Sequence, residues 1–481
     1  MEIYNILLSV ILVLNIILAL FVVFLERRDI GTTWAWLLVL FFIPIVGFVV
    51  YLLFAQNLSR SKLFKWKDFG KSEISKLSET QNSLLHSGQF HVVNDTAAKN
   101  MDLIHLHALH NHAIYTEDNQ VELLIDGEEK FGRLLRDIRE AKEHIHVQYY
   151  ILKRDSIGKK LMEALIERAR SGVKVKVLYD EMGSRTLTSR FFKAFCEAGG
   201  EVAVFFPSRF RLINLRLNYR NHRKMVIIDG KIGYTGGFNV GDEYLGLNKK
   251  FGYWRDTHLR IVGTAVFALQ TRFILDWNQA SANDIMYDPG YFPHTESTGN
   301  IGMQIVTSGP DSEMENIKIG YIKMIMAAKK SVSIQTPYFI PDASLLDALR
   351  IASMSGVEVN IMVPNKPDHP FVYWATLSHI GEMLKTGANV YLYNKGFIHA
   401  KTIVVDEKIS SVGTANIDVR SFKLNFEVNA FLYDKEFASR LTRIFEKDIE
   451  DCGLLTLEQY RQRPRSIRIK ESVSRLLSPI L

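Results

Sequence analysis

Two stretches of this chain carry the same chemically active residue types at the same spacing. The first, "HRKMVIIDGKIGYTGGFN" at residues 222–239, contains His222, Lys224, Asp229 and Asn239. The second, "HAKTIVVDEKISSVGTAN" at residues 399–416, contains the matching residues His399, Lys401, Asp406 and Asn416. The closing turns, "GGFN" and "GTAN", differ in a way that bears on polar chemistry at Gly237 in the first stretch, which is matched by Thr414 in the second.

A His-x-Lys pair at the entrance to an apolar strand projects both side chains from one face. Two such pairs that converge would supply two imidazoles and two ammonium groups, which suits the charge of a phosphodiester transition state. One histidine would attack phosphorus to give a phosphohistidine, and the other would protonate the leaving alkoxide and then deprotonate the incoming hydroxyl. The lysines supply the positive charge, so this chemistry requires no metal or other cofactor.

The segments around both motifs also repeat, which predicts the elements that position them. "EAKEHIHVQYYIL" resembles "AAKKSVSIQTPYFI", "SGVKVKVLYD" resembles "SGVEVNIMVP", and "AGGEVAVFF" resembles "TGANVYLYN", in the same order in both halves. Strands that alternate with amphipathic helices indicate an α/β fold. We predict two homologous lobes, at 119–296 and 297–460, related by a pseudo-twofold axis and sharing one active site, with a linker region at 57–118.

The first residues predict a membrane anchor. Residues 3–25 and 32–54 contain no charged side chain, and each run is long enough to cross a hydrocarbon core. A short connection makes them a two-helix transmembrane hairpin, at 1–56. The basic residues that follow outnumber those of the connecting loop, which places the lobes on the cytoplasmic face of the cell membrane; they are Arg60, Lys62, Lys65, Lys67 and Lys71, against Arg27 and Arg28.

Composition narrows the partners. The chain has 481 residues, is 47% hydrophobic and carries a formal net charge of +7, which favours an anionic partner, either a lipid surface or a nucleic acid. Its two cysteines, Cys196 and Cys452, have neither zinc-ligand nor disulfide-framework spacing. The apolar N-terminus favours lipid, so no nucleic-acid partner is expected.

The chain resembles the phospholipase D superfamily, and within it the bacterial cardiolipin synthases. The resemblance rests on both complete motifs and on "YYIL", "YWRDTHLRIVG", "TSGP", "QTPYFIPD", "NFEVNAF" and the terminal "RLLSPIL", and it extends over nearly the whole chain. It implies a phospholipase D-like fold and transfer of a phosphatidyl group from one phosphatidylglycerol to another, with release of glycerol.

The resemblance also implies roles for individual residues. His222 is the expected nucleophile and His399 the expected general acid/base, although the near-symmetry of the site allows the reverse. Asp256 and Glu427, at matching places after each motif, are expected to orient the histidines. The phosphate would be held by Lys224, Lys401, Asn239, Asn416, Gly237 and Thr414, whereas Asp229 and Asp406 complete the catalytic motifs mainly by supporting their backbone.

Other functions stay open at this point. A phospholipase D-type hydrolase, a transphosphatidylase for another alcohol and a nuclease of the same fold would use the same motifs. A non-catalytic membrane adaptor is disfavoured, because both motifs are complete. Two basic segments are also open: an arginine-bearing insertion at 208–219 and a tail at 461–481 that is either a surface-binding helix or a helix packed on the lobes.

Overall fold

The fold is described from a computed structural model, which covers residues 2–24, 30–43, 47, 73–207, 219–294 and 299–478. The chain forms two units. One comprises residues 1–65 and 206–219, and the other comprises residues 66–205 and 220–481. Both histidine motifs belong to the second unit, so one body carries all of the residues that the sequence predicts for the site.

The first unit begins with two apolar helices, α1 (Glu2–Phe24) and α2 (Ile30–Phe42). The side chain of Asn15 donates to the carbonyl oxygen of Leu40 at 3.4 Å, and Leu40 packs against Leu18 and Trp36. The predicted hairpin therefore has a counterpart in two helices that contact each other. Within the residues described, no helix meets the length and apolarity expected of a membrane span. Most of the insertion at 208–219, with Arg209, Arg211 and Arg216, lies outside the described residues.

The second unit opens with helices where the sequence predicts a linker: α3 (Glu73–His86), α4 (Asp95–Ala98) and α5 (Met101–Asn111). Asn94 caps α4, because its side-chain oxygen accepts from the backbone N–H groups of Thr96 and Ala97. The first strand starts at Tyr115, a few residues before the predicted start of lobe one. The described part of the predicted linker or N-terminal region thus contains three α-helices between residues 73 and 111.

Each lobe contributes strands to a sixteen-stranded sheet of the described residues. The strands of lobe one are β1 (Tyr115–Leu124), β2 (His144–Tyr149), β3 (Lys174–Asp180), β4 (Glu201–Phe205), β5 (Arg220–Asn221), β6 (Met225–Ile228), β7 (Ile232–Gly236), β8 (Tyr253–Arg255) and β9 (His258–Val262). Those of lobe two are β10 (Ile301–Ser308), β11 (Ser331–Gln335), β12 (Phe339–Ile340), β13 (Glu358–Pro364), β14 (Asn389–Tyr393), β15 (Gly396–Ile398), β16 (Thr402–Val405), β17 (Ile409–Gly413), β18 (Ile417–Asp418), β19 (Asn425–Leu432) and β20 (Cys452–Leu454).

The strand order makes the duplication visible. It runs β20-β14-β13-β11-β16-β17-β19-β10 through lobe two and continues β1-β9-β7-β6-β2-β3-β4 through lobe one, and the sixteenth strand, β5, pairs with β19 beside this path. The other four strands form two separate two-stranded sheets, β12 with β18 and β15 with β8. Apart from β20, each half is the mirror sequence of the other, and the two halves join where β1 pairs antiparallel with β10. The predicted α/β fold with two homologous lobes is therefore confirmed.

Helices flank the sheet in both lobes. In lobe one they are α6 (Gly127–Glu140), α7 (Ser156–Arg170), α8 (Ser189–Glu197) and α9 (Val266–Ala280). In lobe two they are α10 (Asn316–Ala327), α11 (Ala343–Met354), α12 (Pro370–Leu384), α13 (Val419–Lys423) and α14 (Lys435–Ile449), followed by α15 (Leu457–Gln462) and α16 (Arg465–Leu476). Aspartate caps begin several of them, including Asp126 before α6 and Asp434 before α14.

Two short strands cross from one lobe to the other. β5 of lobe one pairs parallel with β19 of lobe two, with Asn221 opposite Phe426. β15 of lobe two pairs parallel with β8 of lobe one, with Ile398 opposite Arg255. Each crossing strand ends one residue before a motif histidine, so backbone pairing between the lobes fixes where both histidines lie.

Candidate active site

Each motif histidine is held by backbone from the opposite lobe. The N–H of His222 donates to the carbonyl oxygen of Phe426 at 2.9 Å, and the N–H of His399 donates to that of Arg255 at 2.7 Å. The next residue after Phe426 is Glu427, and the next after Arg255 is Asp256. The same interlobe pairing therefore brings one carboxylate to each histidine.

The carboxylate that contacts each imidazole belongs to the other lobe. The Nδ1 of His222 lies 2.9 Å from both carboxylate oxygens of Glu427, and the Nδ1 of His399 lies 2.7 Å from Oδ2 of Asp256. Both carboxylates are 0% exposed, whereas each histidine keeps 8% of its surface. A carboxylate on Nδ1 sets the tautomer that leaves Nε2 able to accept a proton or attack phosphorus.

Each motif lysine contacts the backbone of the histidine that lies two residues before it. The Nζ of Lys224 donates to the carbonyl oxygen of His222 at 2.5 Å, and the Nζ of Lys401 donates to that of His399 at 2.5 Å. Burial lowers the pKa of Lys224 to about 7, against the opposing charge of Glu427, and lowers that of Lys401 to about 8, against the opposing charge of Asp256. The site thus holds two ammonium groups whose charge is sensitive to pH near neutrality.

The histidines themselves are neutral in the unliganded site. Burial lowers the pKa of His222 to about 4, despite the charge of Glu427, and lowers that of His399 to about 4, despite the charge of Asp256. Each lysine acts on both imidazoles: Lys401 lowers the pKa of His222, and Lys224 lowers that of His399. The two motifs therefore form one electrostatic unit.

The matched pair Thr414 and Gly237 makes the two halves of the site different. The hydroxyl of Thr414 donates to Glu427 at 2.5 Å and accepts from the N–H of Val428 at 2.9 Å. A Cβ at Gly237 would lie 1.8 Å from Oδ1 of Asp256. The Thr414 hydroxyl thus holds Glu427 in place, whereas Asp256 occupies the space that a side chain at position 237 would need.

The phosphate contact expected of Thr414 and Gly237 stays a prediction, and both residues have hydrogen-bond partners within the fold. The hydroxyl hydrogen of Thr414 is committed to Glu427, and its N–H donates to the carbonyl oxygen of Val428 at 3.0 Å. The N–H of Gly237 likewise donates to the carbonyl oxygen of Thr257 at 2.9 Å. Both residues act on the carboxylates behind the histidines, because their donors are already used within the fold.

The motif aspartates contact backbone only. The carboxylate of Asp229 accepts from the N–H groups of residues 142, 143 and 144 at 2.8 to 3.0 Å. Asp406 accepts from those of residues 329, 330 and 331 at 2.7 to 3.1 Å. Each aspartate ties the end of its motif strand to the start of the neighbouring strand, β2 or β11, and is a positioning residue.

The motif asparagines are buried beside the histidines but engage different partners. The Oδ1 of Asn239 accepts from the N–H of Ile151 at 3.1 Å, and its Nδ2 donates to the Tyr244 hydroxyl at 3.1 Å. The side-chain amide of Asn416 bonds to Asp418, and its Oδ1 has no hydrogen-bond partner in the described structure. Their contact with a substrate phosphate stays a prediction.

Two aromatic residues that were not among the predicted site residues line the pocket. The ring of Tyr150 packs edge-on against His222, with centroids 4.9 Å apart, and lies 5.6 Å from the Nζ of Lys224. On the other side, the ring of Trp254 lies 5.2 Å from that of His399. The signal was present, since "YYIL" precedes the first motif and "YWRD" carries the histidine partner, but a single sequence does not show which aromatic residue faces the site.

Comparison with known proteins agrees with the two-lobe fold. The family model described as "Cardiolipin synthase, PLD-like domain" matches residues 134–257 and 321–449, one match in each lobe. The chain belongs to this family. A second model, "Phospholipase_D-nuclease N-terminal", matches residues 13–56.

Relatives in the cardiolipin synthase family match from end to end. The chain is 65% identical to the major cardiolipin synthase ClsA of Bacillus subtilis and 56% identical to a cardiolipin synthase of Oceanobacillus iheyensis, with 100% of each chain covered. Among solved structures, phosphatidylserine synthase of Haemophilus influenzae aligns with a TM-score of 0.59 at 15% identity, covering 81% of this chain and 100% of that one. The structural likeness supports the fold alone.

Proposed function

We propose that the protein is a phosphatidyltransferase that makes cardiolipin. It moves the phosphatidyl group of one phosphatidylglycerol to the terminal hydroxyl of a second, with release of glycerol. The observation that carries this proposal is the paired arrangement of His222 with Glu427 and His399 with Asp256, above two buried lysines. Membership of the cardiolipin synthase family supports the choice of lipid substrates.

In the first half-reaction, the Nε2 of one histidine attacks phosphorus and the bond to the glycerol oxygen breaks. With His222 as nucleophile, Glu427 holds the Nδ1–H and stabilises the positive charge that develops on the ring. His399 gives the departing glycerol oxygen its proton. The anionic phosphodiester favours that proton on His399, because its charge offsets the two lysines that disfavour imidazolium in the empty site.

In the second half-reaction, the hydroxyl of the acceptor phosphatidylglycerol replaces the departed glycerol. His399, now neutral, takes the hydroxyl proton, and the oxygen attacks the phosphohistidine to release His222 and form cardiolipin. We assign the ammonium groups of Lys224 and Lys401 to the non-bridging oxygens, which carry charge throughout. This division of roles rests on the resemblance of the motifs and is open to the reversed assignment.

Two features favour transfer to a lipid over hydrolysis. Both histidines are only 8% exposed, and the ring of Trp254 lies against His399, the proposed general base. Burial of the histidines and an aromatic side chain beside the general base would limit the access of water to a phosphohistidine, and the aromatic ring would accommodate the apolar body of a lipid acceptor.

We also propose that the N-terminal region, residues 1–56, embeds the protein in the cell membrane as a multi-pass anchor, with the lobes on the cytoplasmic face. The uncharged runs at 3–25 and 32–54 and the excess of basic residues after the second run support this topology. An anchor of this kind keeps the lobes beside a substrate that is confined to the bilayer.

The test is a lipid analysis. The purified protein in detergent is incubated with phosphatidylglycerol alone, with a chelator present and no nucleotide, and the products are separated and counted. We expect cardiolipin and free glycerol in equal amounts. Phosphatidic acid without cardiolipin would show a hydrolase and refute the proposal. His222→Ala and His399→Ala should each abolish product formation, whereas Cys196→Ser, at an exposed position, serves as the matched control.

A further inference from the structure

The C-terminal helix α16 has one face that packs on the lobes. Glu471 and Ser474 are buried on this face. The carboxylate of Glu471 accepts from the guanidinium of Arg463 at 2.6 to 2.9 Å and from the hydroxyl of Tyr460 at 3.3 Å. Of the two arrangements that the sequence leaves open for this tail, packing against the catalytic body is therefore present.

The opposite face of α16 presents an apolar stripe. Ile469, Val473 and Leu476 are 64%, 50% and 81% exposed. Their spacing of four and then three residues places them on one line along the helix, and at 3.6 residues per turn this line lies opposite Glu471 and Ser474. Packing against the lobes thus leaves these three side chains in solvent.

Basic side chains flank the stripe on both sides. α16 contains Arg465, Arg468, Lys470 and Arg475, all of them exposed, and one acidic residue, Glu471, which is buried against Arg463. The exposed surface of the helix is therefore cationic as well as apolar. Helices with this arrangement lie in the plane of a bilayer, with the apolar stripe among the acyl chains and the cations at anionic headgroups.

The stripe is continuous with the start of helix α12. The Nζ of Lys470 lies 5.2 Å from the centre of the Trp374 ring, and His379 further along α12 contacts Ser478 at 3.4 Å. The two helices thus run side by side in the same direction. Phe371, in the first turn of α12 and three residues before Trp374, is an exposed apolar side chain, with 55% of its surface accessible. We call Phe371, Ile469, Val473 and Leu476, with the four cations of α16, the α12/α16 face.

The start of α12 also adjoins the active site. The hydroxyl of Tyr338 donates to Asp368, two residues before α12, and the N–H of Phe339 donates to the hydroxyl of Thr376 in α12 at 3.1 Å. Phe339 pairs with Ile417, which directly follows the motif residue Asn416. The charge of Asp368 acts on Lys401. The α12/α16 face is therefore linked to the edge of the catalytic pocket through a short chain of contacts.

From this placement we infer that the α12/α16 face docks on the surface of an anionic phospholipid bilayer and holds the mouth of the catalytic pocket against it. The inference rests on the proposed function only in taking the substrate to be a membrane lipid. It adds a second point of membrane contact, separate from residues 1–56, which fixes the orientation of the lobes relative to the lipid surface.

The test measures contact with acyl chains, independently of turnover. The full chain, with Cys196→Ser and Cys452→Ser, receives a fluorescent label at Val473→Cys or, as the matched control, at Lys193→Cys on α8, where the lysine side chain is 73% exposed. Each protein is placed in nanodiscs of phosphatidylglycerol and phosphatidylcholine, in which the acyl chains are either plain or brominated near the headgroup. Cardiolipin formation is scored separately on the same samples.

We expect brominated lipid to quench the label at position 473 and to leave the label at position 193 unchanged, with stronger quenching as the phosphatidylglycerol fraction rises. Equal fluorescence of the two labels would overturn the inference, whether or not cardiolipin is made. A blue shift at position 473 without quenching by bromine would also overturn it, because it would mean that protein covers the face.

A kinetic comparison gives a second, independent readout. The triple variant Ile469→Ser, Val473→Ser, Leu476→Ser changes only exposed side chains, so we expect the fold to be retained. Its rate of cardiolipin formation should fall several-fold in nanodiscs and match that of the unaltered chain in detergent micelles, where substrate is not confined to a flat surface. Unchanged rates in both environments, or the same loss in both, would contradict the inference.

Discussion

Replacement of the carboxylate behind His222 is the change whose effect follows most directly from the structure. Glu427 is 0% exposed and contacts Nδ1 of His222 through both oxygens at 2.9 Å, and one of them also accepts from Thr414 at 2.5 Å. Glu427→Gln keeps the size of the side chain but removes its charge. The new amide also carries an N–H donor, whereas the carboxylate that it replaces carries only acceptor oxygens.

The loss can be estimated from one charge-assisted hydrogen bond. Such bonds contribute about 1.5 to 3 kcal/mol, and each 1.36 kcal/mol changes a rate about tenfold. We therefore expect kcat to fall about 10- to 150-fold. The charge of Glu427 also raises the pKa of Lys224, so its removal lowers that pKa further and weakens phosphatidylglycerol binding at neutral pH.

The assay is steady-state cardiolipin formation in detergent across a range of phosphatidylglycerol concentrations. Glu122→Gln provides the matched control, because Glu122 lies in the same sheet, is partly exposed and forms ion pairs with Arg133 and Arg260 rather than with a motif histidine. We expect this control to retain its activity and Glu427→Gln to lose kcat. A loss below about threefold, with the thermal transition unchanged, would refute the role of Glu427 on His222.

Four further outcomes follow from the described contacts. Thr414→Ala removes the hydroxyl that fixes its carboxylate partner and should lower kcat roughly tenfold, whereas Thr414→Ser should stay close to the unaltered rate in the same assay. Gly237→Ala would place Cβ 1.8 Å from Oδ1 of Asp256 and should abolish turnover, while Gly132→Ala, with no heavy atom within 4 Å, serves as its control. The two motif lysines have pKa values lowered to about 7 and about 8, so their charge is present below these values and lost above them, and kcat/KM should fall as pH rises through this range. On the acid side, kcat/KM should fall again near pH 4, because the histidine pKa values are about 4. Asp229→Ala leaves three backbone N–H groups without their acceptor and should lower the free energy of unfolding by about 2 to 3 kcal/mol in denaturant titrations, with kcat of the folded fraction largely retained.

The duplication was accessible from sequence because it is written in local patterns. Matching strand and helix segments, such as those around Gln148 and Gln335, occur in the same order in both halves, and the strand order of the sheet repeats in the same way. The histidine and lysine positions follow from the spacing of each motif. The sequence names Asp256 and Glu427 as the acids that orient the histidines but does not say which acid contacts which histidine. That pairing depends on the crossing strands β5 and β15, which are only two and three residues long.

Thr414 shows how a residue can be singled out from sequence before its contacts are known. The sequence marks it as the place where the two motifs differ, and a hydroxyl next to a phosphate site predicts a phosphate contact. The structure directs the hydroxyl to Glu427, because the strand that carries this acid runs directly beside the motif turn, with Gly413 opposite Asn429. The linker or N-terminal region predicted at 57–118 includes helix α5, which packs against α10 of lobe two, a tertiary contact that composition does not reveal.

We propose that both lobes contribute to one site in which a single histidine carries the phosphatidyl group. The most direct measurement uses a phosphatidyl ester of p-nitrophenol, whose leaving group needs no proton. Single turnovers with His399→Asn and with His222→Asn are quenched with sodium dodecyl sulfate at mildly alkaline pH, because a phosphohistidine is labile in acid. We predict a burst of one nitrophenolate per protein with His399→Asn, with the phosphatidyl group recovered on the peptide that contains His222, and no burst with His222→Asn. A burst in both variants would contradict the claim, and a burst in His222→Asn alone would reverse the assigned roles.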